Sequence, residues 1–416
     1  MIGGLACCNE ASAKHTRRSA RACALEAKTV SVLTRGGNVN FSIVIPTWNR
    51  SSLVESLLRS LFSERQRYTH GSTEVLVVDS SEGSERQKIE GSCLDYDAVY
   101  IEGEDSVRKK RNLGIRAAQY SIILFIDSDV TVEAGLLDAY EKAYADYFSQ
   151  RIPLGGVLGY TEFVGEKTFW WKATERTSLV DSFAFSRLYP FHSWTIGNNV
   201  SFYKGVLEEI GLFEENLPFR LGSDDLDLSY RVTKAGYMIG SAPDAVTYHS
   251  RETWSSIKAI HDRAKRWGTM EWYVIKRHPE LGKFVIPKDY LIEAIVTVCM
   301  AALSIAAHAF APLIASLLWV VLNTAINYIQ DMRKHGACSP VRFAATKFIQ
   351  MQYEYYRVKQ SLKNRSLEAF YKGMVFNAYQ IKFGLADDSK RMLKLLVTYV
   401  IAAVLVLLVA SSTGLQ

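Results

Sequence analysis

Short apolar runs alternate with helical stripes over residues 41–288. Phe41–Pro46, Glu74–Asp79, Ala98–Glu102, Ser121–Asp127 and Gly156–Phe163 are rich in β-forming residues and predict strands. Between the first two, Leu53, Leu57, Leu58 and Leu61 recur at helical spacing within Ser51–Phe62. Strand–helix–strand alternation predicts parallel βαβ units with right-handed crossovers, hence an α/β domain. Such sheets bind ligands at the carboxyl ends of their strands.

From residue 290 the pattern changes. Tyr290–Ala307 and Ala311–Ile329 together hold one acidic residue, Glu293, and no Lys or Arg. Each is close to the ~20 apolar residues that cross a bilayer, and His308 and Pro312 bracket the break between them. Two crossings are expected, and Leu393–Ala410 predicts a third. Residues 331–394 carry thirteen Lys/Arg against five Asp/Glu, whereas 308–311 and 411–416 carry no charge. Positive charge stays on the cytoplasmic side, so residues 331–394 and the α/β domain are expected there. Tyr353, Tyr355, Tyr356, Phe370, Tyr371, Phe376 and Tyr379 lie among these bases. That composition suits helices on an anionic leaflet and, equally, helices packed beneath the catalytic domain. The expected organisation is a polar leader over 1–40, the α/β domain over 41–288 and a transmembrane hairpin over 289–330. A basic interfacial segment over 331–392 and a third span over 393–411 complete it. The leader lacks the apolar run of a secretory signal.

Composition narrows the function. Lys+Arg number 49 and Asp+Glu 43, an excess too small to point to nucleic acid. Six cysteines without metal-site spacing exclude a disulfide scaffold and a zinc module.

Several motifs fall at strand ends. Ile45-Pro46-Thr47-Trp48-Asn49-Arg50 closes the first strand and Val77-Val78-Asp79-Ser80-Ser81 the second. Each alone is compatible with a solvated turn, though a strand-end Asp also accepts from a ribose or a base. Ile126-Asp127-Ser128-Asp129 places two carboxylates on one side of an extended backbone. Hard oxygen ligands suit Mg²⁺ or Mn²⁺, which would in turn hold a diphosphate. Arg108-Lys109-Lys110-Arg111 stands ahead of a predicted helix, where it meets either phosphates or solvent. In Gly222-Ser223-Asp224-Asp225-Leu226-Asp227-Leu228-Ser229-Tyr230-Arg231, Asp227 and Arg231 form an i,i+4 structural pair. One of Asp224 and Asp225 suits the helix cap, which leaves the other as a candidate general base. His249 ends a further apolar run; alone, it reads as a polar or satisfied core residue.

In their order and spacing, these motifs resemble the inverting family-2 glycosyltransferases over roughly residues 41–270. The resemblance implies a GT-A fold, a Rossmann-like mixed, mostly parallel sheet flanked by helices. It implies a nucleotide-diphosphate sugar donor contacted by Pro46, Thr47, Asn49, Asp79, Arg111 and Asp127. Asp127 and Asp129, completed by His249, would hold Mn²⁺ or Mg²⁺. Trp194, Gly197, Asn198 and Asn199 would form the sugar and acceptor pocket, and Asp225 would be the base. Asp224 stands where the family usually has Glu. Arg263-Ala264-Lys265-Arg266-Trp267 is similar to the Q-x-x-R-W signature of processive polysaccharide synthases, with Gln replaced by Arg. Arg266 and Trp267 thus become acceptor-side candidates; the same segment equally suits a juxtamembrane anchor. The expected activity is metal-assisted transfer to a lipid-linked or glycan acceptor by a membrane-anchored enzyme in contact with lipid. A processive synthase and a catalytically silent assembly subunit are the alternatives, and an oligomer is compatible with either.

Overall fold

The structure, a computed structural model, describes residues 39–216, 222–285, 288–374 and 381–413. The leader expected over 1–40 therefore lies outside the described residues except for Val39 and Asn40. The described chain forms two compact units. One comprises the described part of Met1–Glu166 with Val180–Thr253, the other Lys167–Leu179 with the described part of Trp254–Gln416.

The first unit is built on a nine-stranded sheet. Its strands are β1 (Phe41–Thr47), β2 (Thr73–Asp79), β3 (Val99–Glu102), β4 (Ile122–Ile126), β5 (Val130–Val132), β6 (Leu154–Val164), β7 (Phe191–His192), β8 (Asn199–Tyr203) and β9 (Met238–Ser250). The order is β3-β2-β1-β4-β8-β6-β9-β5, with β7 on β9. The five strands expected from the sequence are β1, β2, β3, β4 and β6. The half made of β3, β2, β1 and β4 is parallel throughout. Every residue of β1 and β4 is buried, as expected of central strands covered on both faces. The helices labelled here in this unit are α1 (Ser51–Arg67), α2 (Gly83–Asp95), α3 (Val107–Ala117), α4 (Leu136–Ser149) and α5 (Asp224–Lys234). Helix α1 buries Val54, Leu57, Leu58 and Leu61, and each Leu so removed from water contributes about 1.5–3 kcal/mol.

Two strand reversals position the site. β8 runs antiparallel between β4 and β6, pairing Asn199 with Ile126. The Gly197-Asn198 turn before β8 therefore abuts the Asp127 turn after β4, and Asp127 N–H donates to Asn198 O at 3.3 Å. β5 pairs antiparallel with β9, setting Val130 opposite His249 and bringing that imidazole beside Asp129.

The second unit contains α6 (Ile257–Arg277), α7 (Asp289–Ala307), α8 (Ala311–His335), α9 (Pro340–Lys363) and α10 (Ile381–Thr413). The sequence reading counts α6 with the sheet domain; its packing partner is α9. Gly268 allows that approach, since a Cβ there would stand 2.1 Å from the Tyr353 carbonyl oxygen. Buried Glu271 accepts from Tyr353 Oη and from Met374 N–H at 2.8 Å, and burial pushes its carboxyl above the usual range. Three helical stretches are long and apolar enough to cross a membrane: Asp289–Ala307, Ala311–His335 and Ser389–Val409. Trp319 Nε1 ties the second to the third, donating to Leu395 O at 3.1 Å and Thr398 Oγ1 at 3.0 Å.

Candidate active site

The turn after β1 is set by local chemistry. Pro46 lies beyond Val44, the last β1 residue paired with β4, so its missing N–H costs that ladder nothing. Asn49 adopts φ 49°, a left-handed conformation that Asn tolerates better than most residues. Its N–H donates to Ser81 Oγ at 2.7 Å, and Ser81 Oγ donates to Asp79 Oδ1 at 2.7 Å. Tyr100 Oη donates to Asp79 Oδ2 at 3.2 Å. Asp79 is thus fully buried and locks the ends of β1, β2 and β3 together. Thr47 Oγ1 and Ser80 Oγ are buried without a hydrogen-bond partner among the described residues, and Lys110 Nζ donates to Thr47 O. Burial lowers the Lys110 amine to about 8. A cavity of about 320 Å³ opens at the ends of β2 and β3, lined among others by Ser80, Ser81, Gly83, Arg86, Glu102 and Asp105.

The basic run is not a solvated surface. It lies within α3, not before it, and Arg108, Lys110 and Arg111 are buried. Only Lys109 faces outward, paired with Glu104. Arg111 is the hub. Its Nη1 donates to Asp224 Oδ2 at 2.7 Å, and its Nη2 to Asp127 Oδ1 at 2.9 Å and Gly197 O at 3.2 Å. Its guanidinium lies 5.9 Å from the ring centre of Phe125 and 5.4 Å from that of Phe213.

The two acids at the start of α5 are differentiated by this hub. Neither caps the helix: the N-cap is Ser223 at φ 55°, without a side-chain cap bond. Asp224 is buried on Arg111. Asp225 is partly buried, with Oδ1 accepting from Leu226 N–H and Oδ2 from Gly197 N–H, both at 2.9 Å. Burial first, then the neighbouring Asp224 charge, raises the Asp225 carboxyl to about 7; Arg111 and the two N–H groups oppose the shift. Asp227 and Arg231 form the structural pair expected, at 2.9 Å.

Asp129 is buried. Arg50 Nη1 donates to its Oδ2 at 3.0 Å, and His249 Nε2 stands 3.5 Å from its Oδ1. Phe163 and Phe183 flank the imidazole, with ring centres at 5.1 and 5.9 Å. Arg50 was not singled out by the sequence reading; its place in the strand-end motif is the signal that points to it. Asn198 donates to Thr161 Oγ1 at 3.0 Å and keeps a buried Oδ1 without a partner. Asn199 corrects the expectation of a pocket residue. Its Nδ2 donates to Tyr160 O and Ala245 O, and its Oδ1 accepts from Tyr140 Oη, all in the core. Trp194 is likewise buried, its ring 5.8 Å from that of Phe185. Arg266 and Trp267 belong to the second unit, where Trp267 lies 5.8 Å from Trp254 and Arg263 sits 4.2 Å over the Trp254 ring.

Two carboxylates and an imidazole on converging strand ends are a donor set suited to Mn²⁺ or Mg²⁺. Asp129 and His249 already meet, while Arg111 and Arg50 occupy the positions where cationic charge is wanted. The residues therefore fit a divalent cation. Among the described residues, the one His/carboxylate group whose ligand atoms all lie within 4.8 Å of one another is elsewhere, at His70, Asp138 and Glu141.

A family model described as glycosyltransferase like family 2 matches residues 38–269. The chain belongs to that family. It is 26% identical over 249 residues to chondroitin synthase of Escherichia coli, covering 50% of this chain and 34% of the synthase. It is 26% identical over 272 residues to validoxylamine A glucosyltransferase of Streptomyces hygroscopicus subsp. jinggangensis, covering 58% and 61%. The chain thus spans about a third of the Escherichia coli synthase, and 26% of a second chondroitin synthase from Pasteurella multocida. Among solved structures, the mannosyltransferase PcManGT of Pyrobaculum calidifontis, in complex with GDP-Man and Mn²⁺, superposes with a TM-score of 0.41 at 18% identity. That match covers 86% of this chain and 96% of the mannosyltransferase. This family-2 glycosyltransferase carries the GT-A arrangement, a parallel half-sheet continued by strands of mixed direction.

Gly197 lies close against the hub. A Cβ there would stand 2.7 Å from Arg111 Nη2 and 3.0 Å from Cζ. The guanidinium is pinned on both sides, so it cannot yield without leaving Asp127 or Asp224. Gly197→Ala is expected to lower turnover about 10²-fold through misplacement of the site, with circular dichroism unchanged. Turnover within twofold of wild type would show that the hub tolerates displacement.

Proposed function

We propose that the chain transfers a sugar from a nucleotide-diphosphate donor to a hydroxyl of a lipid-linked or glycan acceptor, with inversion at the anomeric carbon. The observation that carries this reading is the division of labour between the two acids of α5. Arg111 holds Asp224, and Asp225 is left without a cationic partner of its own among the described residues, with a carboxyl that burial and the Asp224 charge raise to about 7, suited to proton transfer near neutral pH. Asp225 takes the proton of the acceptor hydroxyl. The hydroxyl oxygen bonds to the anomeric carbon from the face opposite the diphosphate, and the bond from that carbon to the diphosphate oxygen breaks. One displacement needs one base, without the second carboxyl of a retaining pair. Asp127, Asp129 and His249 would hold the divalent cation, which supplies Lewis-acid neutralisation of the diphosphate. Arg111 and Arg50 add fixed positive charge beside those ligands. Asn198 Oδ1, Thr47 Oγ1 and Ser80 Oγ are buried acceptors or donors that a bound donor would satisfy.

Three helices long and apolar enough to cross a membrane support an anchored enzyme, and the basic excess of residues 331–394 supports a cytoplasmic catalytic unit. A second reading, chain polymerisation, is favoured by similarity to chondroitin synthases and opposed by Arg263 in place of Gln. Product length separates the two readings.

The test is release of nucleotide diphosphate by the detergent-purified full chain. It uses UDP-, GDP- and TDP-sugars with and without Mn²⁺ or Mg²⁺. One donor is expected to support metal-dependent release. Asp129→Asn is expected to weaken metal-dependent nucleotide binding by at least about tenfold. Binding of no nucleotide in any condition would overturn the enzyme reading in favour of a silent subunit.

A further inference from the structure

Helix α9 carries an apolar stripe that is exposed among the described residues. Val341, Phe348, Met351, Tyr355 and Leu362 are all exposed, Val341 to 70% and Tyr355 to 54%. At about 100° per residue they fall within about 80° of arc. The opposite face is spent on the fold. Phe343 packs on Tyr328 of α8 at 5.1 Å, Thr346 donates to Ala173 O, and Tyr353 donates to Glu271.

The same helix lies within electrostatic reach of charged groups at the ends of the apolar helices. Near its start, Lys347 lies within electrostatic reach of Asp331, Asp289 and Lys394. Asp289 opens the first apolar helix, and Lys394 lies in the third, where it donates to Asp289 at 2.8 Å. Two turns on, Glu354 and Arg357 lie within electrostatic reach of Tyr290, again at the head of the first. A stretch of α9 about 10–15 Å long thus lies within electrostatic reach of the head of the first apolar helix.

Its charge matches that placement. Residues 340–365 hold six Lys/Arg and one acid, Glu354, which Arg357 neutralises at 2.6 Å. Lys359 lies 5.5 and 5.8 Å from the rings of Tyr355 and Tyr356, so its cation rides beside the stripe. Basic residues flanking an apolar, aromatic face are the signature of a helix half-sunk in an anionic leaflet.

We propose that α9 is an interfacial helix whose Val341, Phe348, Met351, Tyr355 and Leu362 face inserts among the headgroups of an anionic leaflet, the same leaflet that receives the three apolar helices. The inference rests on the membrane reading of those helices. It makes the connection between the second and third spans a lipid-contacting element.

The experiment uses the full chain with its six cysteines changed to Ser and one cysteine restored at a time, by Phe348→Cys, Tyr355→Cys or, as an exposed control, Lys172→Cys. Each carries an environment-sensitive fluorophore and is placed in nanodiscs of phosphatidylcholine with phosphatidylglycerol. Probes at 348 and 355 are expected to shift to the blue. Headgroup-level nitroxide lipids should quench them at least about twofold more than the probe at 172, and removal of phosphatidylglycerol should reduce the effect. Equal quenching at all three sites overturns the proposal, as does excimer formation by pyrene at 355, which would mean a second copy covers the stripe. If the cysteine-free chain does not fold, Tyr355→Asp with Phe348→Asp on the native background replaces it. That variant should retain nucleotide binding in detergent and become more accessible to protease within residues 340–365 in nanodiscs; unchanged protection overturns the proposal. Failure to enter nanodiscs at all would instead remove the membrane reading itself.

Discussion

Asp225→Asn is expected to lower sugar transfer by about 10²–10⁴-fold while nucleotide binding stays within a few fold of wild type. The variant keeps the side-chain shape and the acceptor for Leu226 N–H, and removes the proton-accepting charge. The pH dependence provides an independent check. A base works only when ionised, and burial with the Asp224 charge holds this carboxyl at about 7. The rate should therefore fall about tenfold per pH unit below that value and level off above it. Asp224→Asn removes one of the two causes of the shift, so its profile should move to lower pH. Single-turnover release of nucleotide diphosphate between pH 5 and 9 measures both. A wild-type profile flat through pH 7, or an Asp225→Asn variant at wild-type rate, would remove Asp225 from the base role.

Much of this architecture was legible from the chain because its signals are local. β1, β2, β3, β4 and β6 are predominantly apolar runs, and each boundary lies within one residue of its expectation except the start of β6, at Leu154 two residues early. Only the end of β9 was legible, as the apolar run closing on His249, and the rest was hidden for a physical reason. Pro243 and Asp244 interrupt its pattern, and the pairing with β6 jumps from Gly159↔Ala242 to Tyr160↔Val246 across a bulge. β8 was hidden by Asn199, a polar residue at a fully buried strand position, satisfied only by three partners distant in sequence. The basic run shows the same limit from the other side. Its spacing in α3 does not announce burial, because the acids that compensate Arg111 come from β4 and α5, up to 113 residues away. Candidate chemistry was therefore visible as motifs, whereas the partners that differentiate Asp224 from Asp225 required the fold.

Arg111→Met is expected to have the largest effect on stability, because it leaves Asp224 charged and buried without its partner. Both side chains of that ion pair are about 5% exposed. Breaking such a pair from one side costs about 3–5 kcal/mol, most of it the penalty of the abandoned charge. Asp127 adds less, since its carboxylate is about a third exposed and retains water. The argument predicts a specific non-additivity. Asp224→Asn in the Arg111→Met background removes the abandoned charge, so the double variant should be more stable than Arg111→Met alone. Urea unfolding of the detergent-purified chain, followed by far-ultraviolet circular dichroism, measures the cycle. Neither variant should turn over normally, because Arg111 also holds Asp127 and the Gly197 carbonyl. Additive losses would mean that Arg111 acts mainly through packing on Phe125 and Phe213. Recovery of stability without recovery of activity would instead show that one guanidinium is needed twice: to balance the acid of α5, and to hold the carboxylate at the end of β4 where the donor diphosphate is expected.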